Sequence, residues 1–477
     1  MPLQKLKSSS LLNNSFFIFL IRFFPSVANL VVLLYYSRQL DMPAYGIYQN
    51  FWVQIYFLYP LAAFGIHVLI TTYAPSTILK IAQKLSATQY VIYSVWVLLI
   101  SALFAWLQPS SLNMGWWLPM LFLIVFVAGI ILESFIIVLK GFKALLIINI
   151  LYAISYVLVH KLVLAQTFSH YNIFLYLLLI GVGKVALSTL VVLFNIRKHQ
   201  DDVHEESRSI NEIRTLWLHM GYYDILQTLS TWIDKFVVSL LLTASLSAIY
   251  FNGSQNIPFL PIILSAAGSA VLLQMNKVKA TNENESLLLL MKTSARYLSC
   301  VVFPILFFLM FFRYEVFKVV LPGYIDAVPV FFIMLFILPL RIYSFLTVFQ
   351  KLHKGHISTT GAIGELILAC LLMYPLYLWL GLPGIALSFV ISTYAQAFYY
   401  MIHIRSLLNV GFMQILPIAN LLIKVLIFSS LFMVIHYLLS SLFEARISML
   451  IGMSIMAIGV LTALYVEVRS DKNGNVS

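Results

Sequence analysis

The chemistry available to this chain rests on a few charged side chains embedded in apolar sequence. Arg22, Lys161, Lys184, Lys235, Lys292, Arg296, Arg341 and Lys424 fall inside long hydrophobic runs, as do Glu133, Asp224, Asp234 and Glu365. A charge at bilayer depth costs about 2.5–3.5 kcal/mol on insertion scales, so each needs a partner or a purpose. Cations exceed anions by roughly two to one, the wrong sign for a cavity that takes organic cations and the right one for phosphate. Arginine grips phosphate with a planar fork and lysine with a point charge. Arg22, Lys184, Lys235 and Arg341 lie deepest in their runs and, with Arg296, form the candidate substrate-binding set. Lys161, His160, Lys292 and Glu133 lie near run ends, where a long side chain snorkels to the interface. Asp234 adjoins Lys235 and should face another way along a helix, toward a cation of a different span. Asp224, Asp234 and Glu365 are each either a coupling carboxylate or half of an ion pair. Lys424 would mark a groove beside the main cavity.

Several kinds of chemistry are missing. No Gly-rich loop ends in Lys-Ser or Lys-Thr, so nothing points to a nucleotide. No Ser-His-Asp arrangement, metal-ligand spacing or nucleic-acid module is present. Cys300 and Cys370 sit in apolar runs and make no disulfide framework. The sequence therefore predicts no catalytic residue, no metal and no cofactor.

The elements that hold these charges are set by composition. Of 477 residues, 62% are hydrophobic and 10% charged, against about 25% charged in soluble domains. Such a chain needs lipid as solvent. Apolar runs of roughly 20 residues, the length of a membrane-spanning helix, recur about fourteen times. They lie near residues 15–36, 46–74, 88–107, 116–139, 144–165, 172–196, 215–242, 247–273, 290–312, 328–350, 357–380, 384–404, 415–438 and 446–466. The fold class is an all-α polytopic membrane protein. The net charge of +12 is read as topology signal. With the N-terminus in the cytoplasm, one set of loops carries about seventeen Lys and Arg and the other about four, a strong positive-inside bias. Both termini are then cytoplasmic. The opposite loops are short, which leaves no room for the external catalytic domain of a polysaccharide polymerase. Trp116 and Trp117 sit at a span edge, where aromatic belts form. Pro25, Pro258 and Pro261 should kink or loosen their helices.

The chain also repeats. Tyr45-Gly46-Ile47-Tyr48-Gln49-Asn50 corresponds to Ser247-Ala248-Ile249-Tyr250-Phe251-Asn252 at an offset of 202 residues. The same offset sets Arg22 on Asp224, Ser26 on Thr228 and Asn29 on Thr231. Spacings of four and three put each trio on one helix face, a polar stripe that opens each half. A repeat of this kind is the usual build of a secondary transporter, with its site at the repeat interface.

The segment Tyr36-Ser37-Arg38-Gln39-Leu40-Asp41-Met42-Pro43-Ala44-Tyr45-Gly46-Ile47-Tyr48, after an Arg-bearing first helix, resembles the polysaccharide transporter family. That family typically has Arg-x-Leu-Gly-Pro-x-x-Tyr-Gly here, and Asp41-Met42-Pro43 departs from it. Trp232-Ile233-Asp234-Lys235-Phe236 is similar to the family's second-half Ile-Asp-Lys/Arg segment. The superfamily also holds multidrug and toxin extrusion exporters and lipid II flippases. The resemblance implies two six-helix bundles, residues 1–196 and 215–405, joined by a cytoplasmic linker at 197–214 and followed by two extra helices and a tail at 406–477. It implies flipping of an undecaprenyl-diphosphate-linked oligosaccharide, for O-antigen, capsule or a similar polymer, across the bacterial inner membrane by alternating access. The implied partners are that lipid-linked substrate, membrane lipids and other polysaccharide-assembly proteins, with no nucleic acid. Arg22 and Lys235 fit the family's cationic cavity residues by position. The alternatives are an ion-coupled multidrug exporter and a membrane-embedded polymerase or assembly component.

Overall fold

A computed structural model of the chain describes residues 8–72, 77–78, 86–109, 112, 114–166, 168–196, 210–255, 257–258, 260–261, 264, 271, 275, 283–352 and 354–472. All regular structure among them is helical. The chain is a multi-pass helical membrane protein: among the described residues ten helices are long and apolar enough to cross a bilayer, or twelve if two bent pairs each count as one span. Their outward faces are apolar, with Leu99, Trp106 and Trp379 among the exposed side chains, as lipid requires. Trp116 and Trp117 are exposed at a helix start, in keeping with an interfacial belt.

Two compact units divide the chain, residues 1–232 with 239–244, and residues 233–238 with 245–477. The first contains α1 (Ser8–Gln39), α2 (Met42–Ala63), α3 (Ile66–Thr72), α4 (Ala87–Leu107), α5 (Trp117–Val138), α6 (Phe142–Ala165), α7 (His170–Ile196) and most of α8 (Ile210–Leu241). The second contains the segment of α8 at 233–238, most of α9 (Ala244–Gly253), α10 (Glu283–Phe311), α11 (Arg313–Val320), α12 (Val328–Leu335), α13 (Phe345–Lys351), α14 (Gly355–Leu380), α15 (Leu382–Leu408), α16 (Ile418–Leu442) and α17 (Ala445–Lys472). Most of the expected linker, residues 197–209, and much of the expected span at 247–273 lie outside the described residues.

Local sequence sets the helix ends. Asp41 caps α2 by accepting from the Ala44 amide at 3.2 Å, with Pro43 in the first turn, where its missing N–H costs nothing. Ser86 and Gln89 make a reciprocal capping box at α4. Helix α1 runs through Pro25 without ending.

Two expected spans are not single helices. The run at 46–74 bends by 61° between α2 and α3, and the run at 328–350 belongs to a segment bent by 44° between Pro322–Leu335 and Leu338–Lys351. Hydropathy is blind to such breaks because both halves are apolar. The first break is built by two consecutive left-handed residues, Phe64 (φ 43°) and Gly65 (φ 67°). A Cβ on Gly65 would stand 2.4 Å from the Gly221 Cα, so only glycine fits there. Carbonyls at the break must be satisfied inside the protein. The Trp217 indole donates to the Phe64 carbonyl at 2.9 Å, and Trp96 to that of Leu61 at 2.8 Å.

Much of the aromatic content is spent on packing. In the first unit Phe51 stacks on Phe174 at 3.7 Å between centroids and meets Phe104 and Phe122 edge to face. Tyr48 donates or accepts with Tyr156 at 3.0 Å and with His160 Nε2 at 2.8 Å. His160 is fully buried, which corrects the expectation that it snorkels: its other ring nitrogen bonds the Tyr156 carbonyl at 2.6 Å.

Candidate functional site

In the first unit, α1, α2, α5, α6 and α7 line an open cavity of about 220 Å³. The helices meet there because each turns aromatic or small residues inward. Trp52, Tyr56, Phe122, Phe126, Tyr152 and Tyr156 form walls, and Gly129 and Gly181 leave the space. Polar groups converge from three helices: Asn29 from α1, Glu133 from α5 and Lys184 from α7. Lys184 Nζ donates to Glu133 Oε2 at 3.2 Å and lies over the Tyr152 ring at 4.9 Å. Glu133 is thus an inward ion-pair partner rather than a snorkelling end residue. Among the described residues the Asn29 amide and the Tyr56 and Tyr152 hydroxyls have no hydrogen-bond partner.

The polar face of α1 leads to this cavity. Arg22, Ser26 and Asn29 are all exposed on one side of the helix, with Pro25 and Asn29 at the cavity wall. Arg22 stands about 10 Å along the axis from Asn29, at 1.5 Å per residue. The Arg22 guanidinium has no partner among the described residues. The hydroxyls of Ser26 and Thr231 bond back to the carbonyls of Arg22 and Gln227, each at 2.8 Å, which lets a polar residue sit at bilayer depth cheaply. On α8, Thr228 is half-buried, and Asp224 lies 3.6 Å from His67 on α3, just past the first helix break. His67 was not singled out in sequence. Its only signal there was Gly65, two residues before it.

The second unit gathers different members of the predicted set. Asp234 is fully buried, and its carboxylate accepts from Tyr250 at 2.7 Å and from Lys235 at 3.1 Å. This corrects the expectation that neighbours in sequence face apart: the long lysine stem folds back onto the adjacent carboxylate. Lys235 Nζ also lies 5.8 Å from the centre of the Phe389 ring on α15. One turn further along α15, Thr393 donates to Glu365 Oε1 at 2.8 Å, and Gln396 to Glu365 Oε2 at 2.6 Å. Arg341, exposed in the short 3-10 turn Leu338–Ile342 at the second break, interacts electrostatically with Glu365. Lys235 and Glu365 therefore neighbour one face of α15.

Arg296 stands apart from these. It is buried with Lys424 around Glu467, which accepts from Arg296 Nε at 2.5 Å and from Lys424 Nζ at 2.8 Å. Lys424 also donates to the Arg296 carbonyl at 2.7 Å and to Ser299 Oγ at 3.0 Å. The network ties α10, α16 and α17 together. Lys424 is a buried member of it, which corrects its reading as the edge of a groove. Glu467 escaped notice in sequence because it lies just beyond the apolar run at 446–466.

Of the predicted cations, then, Arg22 and Lys184 belong to the first unit and Lys235, Arg296 and Arg341 to the second. Among the described residues no group of three or more His, Cys, Asp or Glu side chains is arranged to hold a metal ion.

No protein-family description and no curated protein sequence matches the chain. Solved structures do. The fold is similar to the lipid II flippase MurJ in an inward closed conformation, with a TM-score of 0.63 at 14% identity, over 94% of this chain and 98% of that one. It is also similar to an inward-facing multidrug resistance MATE family transporter of the MOP superfamily, at 0.54 and 16% identity, over 81% of this chain and 94% of that one. An outward-facing MATE structure gives 0.53 at 18% identity, over 83% and 94%. At these identities the likeness is one of fold.

Proposed function

We propose that this chain is a flippase, carrying an anionic undecaprenyl-diphosphate-linked oligosaccharide such as an O-antigen or capsule repeat unit across the bacterial inner membrane by alternating access. The observation that carries the reading is a charge asymmetry. Three of the four carboxylates that sequence places inside a span accept hydrogen bonds, Glu133 from Lys184, Asp234 from Lys235 and Tyr250, and Glu365 from Thr393 and Gln396, while the fourth, Asp224, lies 3.6 Å from His67. Arg22 is exposed within its span, and among the described residues its guanidinium has no hydrogen-bond partner. A diphosphate satisfies such a fork, and an organic cation is repelled by it. In this reading Arg22 holds the diphosphate, no covalent chemistry is done on the cargo, and the prenyl tail stays in lipid. The fold match to a lipid II flippase along nearly the whole chain supports it.

The second reading, an ion-coupled multidrug exporter, is favoured by the MATE matches, which leave nearly a fifth of the chain uncovered. Flipping of a fluorescent undecaprenyl-diphosphate oligosaccharide in proteoliposomes separates the two. Wild type should flip the lipid, and Arg22→Ala should lose at least tenfold, the effect of about 1.5–3 kcal/mol for a charged hydrogen bond. Wild-type transport of small organic cations without lipid flipping would give the exporter reading its place.

A further inference from the structure

The cavity of the first unit is unlike the arginine assigned to the diphosphate. Its one cation, Lys184, is already neutralised by Glu133 at 3.2 Å, so its lining carries no net charge. Its walls are aromatic faces, and three polar groups at those walls, the Asn29 amide and the Tyr56 and Tyr152 hydroxyls, have no partner among the described residues. We propose that this cavity is a subsite for a single uncharged sugar ring of the cargo. The proposal rests on the flippase reading and deepens it, by separating where the glycan is recognised from where the diphosphate is.

The chemistry selects against the other occupants. An acyl chain would strip water from the Lys184–Glu133 pair and from the three polar groups while offering them no hydrogen bond. An organic cation finds no unpaired carboxylate. An acidic sugar would set its carboxylate against Glu133 in competition for one lysine. A neutral pyranose has what the cavity asks for: C–H faces that lie on aromatic rings, and hydroxyls that both donate and accept at its edge. The cavity, of about 220 Å³ and open on one side, has room for a sugar ring, with the rest of a glycan leaving through the opening.

Gly129 allows a test by filling. A Cβ there meets only Val185 Cγ2, at 3.9 Å, so leucine has room to enter the cavity. Gly183 lies outside the lining, and a Cβ there meets nothing within 4 Å, so Gly183→Leu is the control. The full chain in nanodiscs is titrated with undecaprenyl diphosphate bearing one N-acetylglucosamine, the same lipid bearing one glucuronic acid, and undecaprenyl diphosphate alone. Wild type and Gly183→Leu should bind the N-acetylglucosamine lipid at least tenfold tighter than the bare lipid, and tighter than the glucuronate lipid. Gly129→Leu should lose that preference while binding the bare lipid as wild type does. Tyr152→Phe, which removes one hydroxyl and keeps the ring, should reduce the preference severalfold and reports even if the leucine variant does not fold. The subsite is overturned, with the flippase reading intact, if wild type binds all three lipids equally, prefers the glucuronate lipid, or keeps its preference in both cavity variants. If wild type binds none of the lipids, the flippase reading falls and the subsite with it.

Discussion

Removing the carboxylate at Glu467 should do more damage to the fold than any other single polar change at the C-terminal helices. Glu467 is 4% exposed and sits between Arg296, 7% exposed, and Lys424, 8% exposed. The contacts are 2.5 Å and 2.8 Å. At an effective dielectric near 20, each such pair is worth about 6 kcal/mol of gross Coulomb attraction. Most of that is returned as desolvation, and the measured cost of breaking a buried pair from one side is about 3–5 kcal/mol. Glu467→Gln keeps the shape and strands two buried cations beside each other, so the upper half of that range, about 4–5 kcal/mol, is expected. The assay is an SDS titration of purified protein followed by circular dichroism, with the midpoint and slope fitted for each variant. A triple variant, Arg296→Met with Lys424→Met and Glu467→Leu, removes all three charges and should recover to within about 1 kcal/mol of wild type or better, since apolar replacement of buried ion networks is often neutral or stabilising. A loss below about 1 kcal/mol in Glu467→Gln would refute the reasoning, because two stranded buried cations cannot be that cheap.

Three further outcomes follow from local geometry. Gly46→Ala puts a Cβ 1.8 Å from the Ala244 carbonyl oxygen, so backbone must move, and the same titration should register a loss of at least about 2 kcal/mol. Tyr250→Phe leaves buried Asp234 short of its 2.7 Å hydroxyl, and a cost of about 1–3 kcal/mol is expected in the unfolding midpoint. Asp41→Ala removes the cap of α2 and should cost about 1 kcal/mol, with Asp41→Ser recovering most of it.

What could be read in the sequence divides along one physical line. A property carried by a single helix is legible. The apolar runs gave the positions of the ten unbroken spanning helices among the described residues, and spacings of four and three gave the exposed face of Arg22, Ser26 and Asn29. A property of two helices is not. Lys184 and Glu133 lie 51 residues apart, and Arg296 and Glu467 lie 171 apart. Periodicity says which way each points and nothing about which helix stands opposite. Asp234 and Lys235 failed for a different reason. Their Cβ atoms do diverge, but the four-carbon lysine stem spans the divergence. The breaks were half legible. Gly65 and Pro339 are visible in the sequence, yet whether such residues end a helix depends on Trp217 and Gly221 in the first case, far along the chain.

That distance also has a consequence in time. The Phe64 carbonyl depends on an indole 153 residues later. At about 5–20 residues per second, synthesis leaves the break without its donor for roughly 8–30 s after it emerges. During that interval the seven-residue α3, far shorter than the roughly 20 residues that span a bilayer, cannot settle in lipid alone. The second span of this chain is completed by its seventh. Its insertion into the membrane is an act of assembly rather than of partitioning, and the nascent chain must be sheltered until α8 arrives.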